Sequence, residues 1–362
     1  MAIELSNIIF TDQDDVIPVS GVKEIVVNTG IANTLAGNDI ITGTGYIGID
    51  NRGTLNTDDG NDIIAGVGQS AGIRSVFGTI NTGDGDDIIR GTSSLDNLDD
   101  SLESRDGILT YYGTLDTGKG NDLITGSGGP YCSGISNFGS TFNTDDGNDI
   151  IIGTGGLSSS GIYNEGVMDT GNGQDIIAGI NTGSGPTGWG IYNRKDIKTG
   201  DGKDIITGNG DLSGIENDGT INTGNGADLI IGRGGYLKDG FYFGAGIRNN
   251  GTINTGDGTD SIIAEGGFFG SGSVFLENGK DYLKGFGRGN FNGGNGQDTL
   301  ELTSGSYTIE ISETGVNFTQ ANSNVFGNTS ITMITSEFEK LIVGSTTYDF
   351  TSLTEGQTII IA

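Results

Sequence analysis

One phrase recurs along the chain: GTINTGDGDDIIRG at 78–91, GTLDTGKGNDLITG at 113–126 and GTINTGNGADLIIG at 219–232. Self-similarity at a roughly regular spacing is typical of repeat proteins, in which each unit stacks on its neighbours. The central aspartate of the phrase marks its successive copies at Asp39, Asp62, Asp87, Asp122, Asp149, Asp175, Asp204, Asp228, Asp260 and Asp298. Because the closest copies are 23 residues apart, we expect a minimal unit of 23 residues, with insertions at one corner after the IIxG segment.

Each unit contains three short apolar pieces, written GIxN, TIN and DIIxG, which are separated by Gly, Asn and Asp. Isoleucine-rich pieces of this length between turn residues are typical of strands. None can bury its apolar face alone, so the sequence predicts an all-β fold, a parallel β-solenoid of about ten coils. We expect a β cap over 1–30, the solenoid over 31–302 and a second β cap over 303–362, where the unit is missing but strand patterns persist.

The composition excludes several classes of function. The chain has no histidine and a single cysteine, so His-based catalysis, His-ligated zinc and an internal disulfide are impossible. A net charge of −30 disfavours binding to nucleic acid and to anionic lipid, and it favours cations as partners. No stretch is apolar and long enough to span a membrane, and we expect a monomer.

The turn before DIIxG has the pattern GxGxDx[IL] in most units, and its last copy, 293–301 (GGNGQDTLE), fits GGxGxDxUx at every position. This nonapeptide resembles the calcium-binding repeat of the RTX, or haemolysin-type, proteins. The resemblance covers nine residues in each of ten units and implies Ca²⁺ as the bound cofactor. The candidate ligand positions that it implies are Asp39, Asp62, Gly83, Gly85, Asp87, Gly118, Gly120, Asp122, Asp149, Gly171, Gly173, Asp175, Gly200, Gly202, Asp204, Gly224, Gly226, Asp228, Gly256, Gly258, Asp260, Gly294, Gly296 and Asp298.

The chemistry of the turn favours the same cation. Glycines permit positive φ and inward-facing carbonyls, and the aspartate adds a carboxylate, which together form an all-oxygen site that suits Ca²⁺ better than Mg²⁺ or a transition metal. The alternative is that the aspartate closes an Asx-type turn through backbone hydrogen bonds and needs no metal. We expect Asp298 to be the strongest site and Asp39 the weakest.

The repeats also depart from the RTX pattern. There is one nonapeptide per coil, which allows one column of cations at most. Thr or Asn stands at the first glycine of most copies, and Asp58 and Asp145 replace the second glycine.

The RTX resemblance also implies export by type I secretion, without an N-terminal signal peptide and directed by an uncleaved C-terminal signal. The residues DFTSLTEGQTIIIA at 349–362 look like such a signal, and a capping strand is the alternative. We therefore expect an extracellular or cell-surface protein that folds on calcium after export.

Two further patterns stand out. Asparagines recur after GIx and before the turn, and stacked amides of this kind form ladders between coils. The first of these two columns is Asn51, Asn137, Asn164, Asn193, Asn217, Asn249 and Asn278. Aromatic residues concentrate in late segments that we interpret as insertions, where they would pack locally or form a contact surface for a polysaccharide or a protein. They are Tyr236, Phe241, Tyr242, Phe243, Phe268, Phe269 and Phe275, and Trp189 with Tyr192 is a weaker instance.

Two functions remain open at this point. The first is a secreted or cell-surface calcium-binding protein with a structural, adhesive, matrix or surface-layer role. The alternative is a calcium-assisted polysaccharide lyase or epimerase, for which Tyr192, Arg194, Lys195 and Lys198 are candidate basic groups.

Overall fold

The structure is a computed structural model that describes residues 2–18, 23–94, 105–183, 188–234, 237–238, 241–242, 244–320 and 330–361. Two short 3-10 helices cover Leu5–Asn7 and Phe350–Ser352, and no described helix is long and apolar enough to cross a bilayer. The first half of the strands in chain order comprises β1 (Ile3–Glu4), β2 (Val16–Ile17), β3 (Ile25–Val27), β4 (Ile31–Asn33), β5 (Ile40–Asn51), β6 (Thr54–Asn56), β7 (Ile63–Val76), β8 (Thr79–Asn81), β9 (Ile88–Ser93), β10 (Ile108–Tyr111), β11 (Thr114–Asp116), β12 (Leu123–Ser127), β13 (Ile135–Phe138), β14 (Thr141–Asn143), β15 (Ile150–Gly155), β16 (Ser160–Asn164), β17 (Val167–Asp169), β18 (Ile176–Asn181), β19 (Trp189–Asn193), β20 (Asp196–Lys198) and β21 (Ile205–Asn209).

The second half comprises β22 (Ser213–Asn217), β23 (Thr220–Asn222), β24 (Leu229–Arg233), β25 (Leu237–Lys238), β26 (Phe241–Tyr242), β27 (Ala245–Asn249), β28 (Thr252–Asn254), β29 (Ser261–Glu265), β30 (Phe268–Phe269), β31 (Ser273–Phe275), β32 (Asn278–Gly279), β33 (Tyr282–Lys284), β34 (Gly289–Asn292), β35 (Asn295–Gly296), β36 (Thr299–Leu302), β37 (Gly305–Ile311), β38 (Val316–Gln320), β39 (Ile331–Ser336), β40 (Lys340–Val343), β41 (Thr346–Asp349) and β42 (Thr358–Ile361).

Most coils contain the three predicted strands, and in β5 and β7 the DIIxG and GIxN pieces form one continuous strand. In one coil β18, β19 and β20 carry the DIIxG, GIxN and TIN pieces, and they pair in parallel with β21, β22 and β23 of the next coil. The first two pieces belong to a 23-stranded sheet and the third belongs to a 15-stranded sheet. The predicted parallel β-solenoid is confirmed.

The core is a set of stacked isoleucine columns, one from each strand of the coil. Ile177, Ile191 and Ile197 point inward from β18, β19 and β20, and none of them has any exposed surface. Each lies opposite an isoleucine of the next coil. Since burying such a side chain is worth about 1.5–3 kcal/mol, stacking supplies the stability that no single coil has.

The asparagines after GIx form a buried ladder, as the sequence predicts. Nδ2 of Asn137 donates to Oδ1 of Asn164 at 2.9 Å, and the same bond joins Asn164 to Asn193 at 2.8 Å. It continues through Asn217 to Asn249. The assignment of Asn278 to this column is wrong, because Asn278 lies in the turn column, where it pairs with Asn295.

The expected minimal unit of 23 residues is also wrong. The 38-residue gap between Asp260 and Asp298 holds an additional coil, whose strand β33 pairs in parallel with β29 before it and β36 after it. Asp281 precedes β33, so the last two coils are offset by only 21 and 17 residues. The copy of the repeat that contains Asp281 is not apparent in the sequence, because Leu276 and Glu277 replace the Thr-Gly with which most of the turns begin.

The same missed coil corrects the interpretation of three aromatic residues as insertions. Phe268 and Phe269 form β30, which pairs with β27, and Phe275 ends β31 in the other sheet. Phe268 lies opposite Ile247 in the core and is 5% exposed, so it replaces the isoleucine of GIxN. The true insertions do follow the IIxG segment, between β9 and β10, β18 and β19, and β24 and β27.

The two ends of the solenoid differ. At the N-terminal end β1, β2 and β3 continue the parallel pairing onto β3 and β5. At the other end β39 pairs in parallel with β34, but β37, β38, β39 and β42 pair with each other in antiparallel fashion. The parallel sheet therefore ends in a small antiparallel layer, which covers an edge that could otherwise pair with another chain.

Candidate metal centre

The central aspartates of the turns form one buried column. Each is at most 1% exposed, and its Oδ1 accepts a hydrogen bond from the backbone N–H of the corresponding aspartate one coil earlier. The N–H of Asp122 donates to Asp149 at 2.8 Å, and that of Asp149 donates to Asp175 at 2.8 Å. The bonds start at the N–H of Asp15 and join the carboxylates of Asp39, Asp62, Asp87, Asp122, Asp149, Asp175, Asp204, Asp228, Asp260, Asp281 and Asp298.

The second carboxylate oxygen has a partner in about half of the coils. Oγ1 of Thr144 donates to Oδ2 of Asp149 at 2.7 Å, and Thr170 bonds to Asp175 in the same way. The other pairs of this kind are Thr34–Asp39, Thr82–Asp87, Thr117–Asp122 and Thr199–Asp204. This threonine stands five residues before the aspartate, at the first glycine of the RTX nonapeptide. The departure from that motif therefore supplies a second hydrogen bond to the carboxylate.

The conserved spacing of glycines in the turn has a steric cause. The glycine four residues before the aspartate adopts positive φ, for example 74° at Gly200. The glycine two residues before it packs directly on the same residue of the previous coil, since a Cβ on Gly173 would lie 1.4 Å from the carbonyl oxygen of Gly147. The first group includes Gly83, Gly118, Gly171, Gly200, Gly224, Gly256 and Gly294. The second includes Gly85, Gly120, Gly173, Gly202, Gly226, Gly258 and Gly296.

The last two coils lack the threonine. Leu276 and Gly293 occupy its position, and Oδ2 of Asp281 and Oδ2 of Asp298 are buried without a hydrogen-bond partner. Leaving such an oxygen unpaired costs on the order of 1–3 kcal/mol. Three earlier aspartates, Asp62, Asp228 and Asp260, also have an unpartnered Oδ2, but each has a threonine hydroxyl in its coil that donates to a carbonyl of the next coil.

Burial and stacking change the acidity of the column. The pKa of Asp122, Asp149 and Asp175 is raised to about 7, mainly by burial and in smaller part by the neighbouring carboxylates of the column. At the C-terminal end burial raises the pKa of Asp281 to about 7 and that of Asp298 to about 6, with Glu339 adding to the shift of Asp298. A bound cation would favour the ionised form of these carboxylates and lower their pKa.

The donor set fits a calcium ion at one end of the column better than along the whole of it. Among the described residues no group of three or more His, Cys, Asp or Glu side chains is close enough to hold a metal ion. A cation would therefore need backbone carbonyls of the turn in addition to carboxylates, a mixture that Ca²⁺ accepts. The free Oδ2 atoms of Asp281 and Asp298 are available as ligands, whereas those paired with threonine are already used.

Among the aromatic residues predicted as a contact surface, Phe268, Phe269 and Phe275 lie in strands of the coils. Tyr236 and Phe243 lie outside the described residues, and Phe241 and Tyr242 form β26, which pairs with β25 in a two-stranded hairpin. Phe268 and Phe269 line a cavity of about 340 Å³ beside the C-terminal strands. The guanidinium groups of Arg248 and Arg288 lie 5.3 and 5.8 Å from the ring of Phe269.

Three of the four candidate basic groups, Tyr192, Arg194 and Lys198, interact with neighbouring acids. Burial and the nearby Asp218 raise the pKa of Tyr192 to about 12, so this phenol stays protonated at neutral pH and is not suited to act as a base. Arg194 is paired with Glu165, and Nζ of Lys198 lies 3.8 Å from Asp169. The arrangement of these residues does not favour the lyase alternative.

Comparison with known proteins adds no relative. No protein-family model matches the chain, and no curated protein matches it at a significant level. The geometry of the turn column and the surface of the solenoid therefore carry the functional argument.

Proposed function

We propose that this chain is a calcium-binding structural or adhesive protein that acts outside the cell or at its surface. The observation that carries the proposal is the pair of buried, unpartnered carboxylate oxygens on Asp281 and Asp298. They lie in successive turns, because the N–H of Asp281 donates to Oδ1 of Asp298 at 2.9 Å. A cation between these turns would neutralise two stacked carboxylates and occupy both free oxygens.

The sequence pattern supports the same position. The turn of Asp298 is the one copy that fits the RTX nonapeptide completely, and its first glycine, Gly293, leaves no hydroxyl to compete for the carboxylate. The proposal therefore places calcium at the C-terminal end of the column, with one ion or a few, and assigns the earlier aspartates a structural role as hydrogen-bonding groups.

The proposed location follows from the cation. Calcium is plentiful outside cells and scarce in the cytosol, so a site of flexible oxygen ligands that stabilises the fold is most useful after export. Type I secretion, which the RTX resemblance implies, remains the proposed route. A solenoid whose long parallel sheets present an extended surface suits an adhesive, matrix or surface-layer role.

The test is a calcium titration of chelator-stripped protein by calorimetry, with magnesium as the control ion. We expect saturable, calcium-selective binding that is lost in the Asp281→Asn/Asp298→Asn double variant. Asp149→Asn is the matched control, because Asp149 lies in the same column but is paired with Thr144. If wild-type protein binds no calcium, or if Asp149→Asn reduces binding as much as the double variant, the proposed site is wrong.

A further inference from the structure

A row of aromatic side chains follows the outer surface of the solenoid where the GIxN strands end. Neighbouring rings contact each other with centroids 4.7 to 6.3 Å apart, so that the row is continuous from coil to coil. We call it the aromatic strip, and its members are Phe77, Tyr111, Tyr112, Phe138, Tyr163, Trp189 and Tyr192.

The strip is not part of the core. Phe77 is 70% exposed, Tyr112 is 59% exposed and Tyr111 is 40% exposed. The Ile columns pack on the opposite side of the same strands, so the fold does not need these rings to bury its interior. Large exposed aromatic surfaces that run on without interruption are a mark of interaction sites.

Two members of the strip also hold an unfavourable backbone conformation. Phe77 has φ of 55° and Tyr112 has φ of 48°, whereas the next coil has a glycine, Gly139, at this corner with φ of 63°. A Cβ on Gly139 would lie 2.6 Å from the Tyr112 ring, which therefore lies over that glycine. Bulky residues rarely adopt positive φ, and such strain is concentrated at functional sites.

Polar groups border the rings and extend the strip. The hydroxyl of Tyr192 donates to Asp218 at 3.1 Å, and Nε1 of Trp189 donates to Glu216 at 2.6 Å. Glu216 is paired with Arg248 at 3.3 Å, and Arg248 covers the ring of Phe269.

The strip and its extension run through successive coils in two registers. Tyr111 lies opposite Phe138, whereas Tyr163 lies opposite Ser136, two residues earlier in the strand. From Tyr163 onward the positions lie directly opposite one another, through Tyr192, Glu216 and Arg248 to Phe269. The coils that contribute are those of Phe77, Tyr111, Phe138, Tyr163, Tyr192, Glu216, Arg248 and Phe269. The seven intervals between them, at ~4.8 Å each, give a surface roughly 34 Å long.

We propose that the aromatic strip binds an extended neutral polysaccharide. A surface with one ring in almost every coil fits a ligand that is itself periodic, and aromatic faces pack well against the apolar faces of pyranose rings. The bordering carboxylates and the tyrosine hydroxyls are hydrogen-bonding partners for sugar hydroxyls. This inference rests on the proposed adhesive role, for which it names the partner, but it does not depend on calcium.

Charge selects against the anionic alternatives. Arg194 and Arg248 are paired with Glu165 and Glu216, so neither adds unpaired positive charge to the strip. With a net charge of −30, the protein repels a polyanion at long range. A neutral glycan meets neither obstacle.

The single tryptophan of the chain lies in the strip, so its fluorescence reports on binding there. We would titrate the protein with cellohexaose, mannohexaose, xylohexaose and chitohexaose, following Trp189 emission and heat, with polygalacturonate as the anionic control. We expect a saturable response to at least one neutral hexasaccharide and none to polygalacturonate. The titrations are run both with calcium and with chelator.

Substitutions separate binding from folding. Asparagine tolerates positive φ better than aromatic residues do, so the Phe77→Asn/Tyr112→Asn variant should keep its melting temperature while its affinity falls at least tenfold. Tyr131→Asn is the matched control, because Tyr131 is 49% exposed with φ of 63° but lies in the turn before β13, at another corner of the coil. Its affinity should equal that of the wild type.

Three results would overturn the proposal. The first is that none of the four hexasaccharides gives a response. The second is that wild-type protein and the Phe77→Asn/Tyr112→Asn variant bind the glycan equally well. The third is that the protein binds no glycan but self-associates, and that the same substitutions abolish the self-association. The last result would assign the strip to a contact between copies of this chain. Glycan binding that persists in chelator, in a protein that binds no calcium, would support the strip and refute only the calcium site.

Discussion

The middle and the C-terminal end of the aspartate column have the same backbone geometry and different chemistry. In the middle, Asp149 accepts one hydrogen bond from the N–H of Asp122 and another from the hydroxyl of Thr144. At the end, Asp298 accepts the equivalent N–H bond from Asp281 but has no hydroxyl, and its second oxygen is unpaired. The residue five positions before the aspartate determines whether the turn has a hydroxyl that could reach the second carboxylate oxygen. Asp62, Asp228 and Asp260 have such a threonine, but its hydroxyl bonds to a carbonyl of the next coil instead.

The glycine-aspartate turn has a structural role in every coil. The glycines are needed because successive coils stack closely, and the aspartate is needed because its carboxylate accepts the N–H of the preceding coil. Under the proposed function, a cation adds most where this hydrogen bonding is incomplete. The comparison can be tested in the middle of the column and at its C-terminal end.

The largest expected effect is the loss of a carboxylate in the middle of the column. Asp149→Ala leaves the N–H of Asp122 buried without an acceptor, and the hydroxyl of Thr144 keeps only the carbonyl oxygen of Thr170, at 3.4 Å. The unpaired N–H costs about 1–3 kcal/mol and the lost hydroxyl bond about 1 kcal/mol, so the free energy of unfolding should fall by roughly 2–4 kcal/mol. Urea denaturation measures this change. Asp146→Ala, which alters an exposed acid of the same turn, should cost far less, and equal losses would contradict a structural role for the column.

The second effect is calcium protection confined to the C-terminal end. At a calcium concentration one hundred times Kd, binding should stabilise the coils of Asp281 and Asp298 by ~2.7 kcal/mol. Amide hydrogen exchange should therefore slow in β33 and β36 and remain nearly unchanged in β12. Uniform protection along the rod would show instead that cations occupy the whole column.

The third effect is an unusual pH dependence without calcium. Burial raises the pKa of Asp87, Asp122 and Asp149 from 3.8 to about 7, so the folded protein holds more protons than the unfolded chain between these values. The stability is complete below the unfolded pKa and is lost as the pH rises through the folded pKa. In chelator the melting temperature should therefore increase as the pH falls from 8 to 5. A melting temperature that rises with pH over this range would mean that the column is ionised in the folded state.

The smallest effect comes from converting a middle coil to the C-terminal type. Thr144→Val keeps the shape of the side chain but removes the hydroxyl bonded to Asp149, and it should cost about 1 kcal/mol or somewhat more in chelator. Thr141→Val, at an exposed position of β14, is the matched control and should be close to neutral. The Thr144→Val variant should also regain part of the loss when calcium is added, whereas the control should not.

Much of the fold could be predicted from the sequence because each repeat is marked by short motifs, GIxN, TIN and DIIxG, whose residues are close together in the chain. The isoleucine positions, the asparagine ladder and the corner that holds insertions all follow from a unit aligned with itself. The coil of Asp281 was missed because Leu276 and Glu277 break the phrase and because that coil is shorter than the rest. A search anchored on Gly279, Asp281 and Leu283 alone would have found it.

The site was less predictable because it depends on contacts between coils. The threonine stands five residues before the aspartate in most units, but the sequence alone indicated only that it departs from the RTX nonapeptide. The partner of Oδ1 is a backbone N–H one coil earlier, which no residue type signals. Of the aromatic strip, only Trp189 and Tyr192 were singled out from the sequence. The rest was missed because Tyr111, Phe138 and Tyr163 are more than twenty residues apart and become neighbours only through the stacking of the coils.

The hydrogen bonds between successive aspartates all point the same way along the solenoid, from the N–H of one coil to the carboxylate of the next. The N–H of each central aspartate donates to the carboxylate of the aspartate in the next coil. The last N–H, that of Asp298, donates at 2.7 Å to Glu339 in the C-terminal segment. Without Glu339 the last coil would therefore present an unpaired N–H at the C-terminal end of the column. Glu339 takes the place of the aspartate of a further coil, so that the column ends with its last donor satisfied.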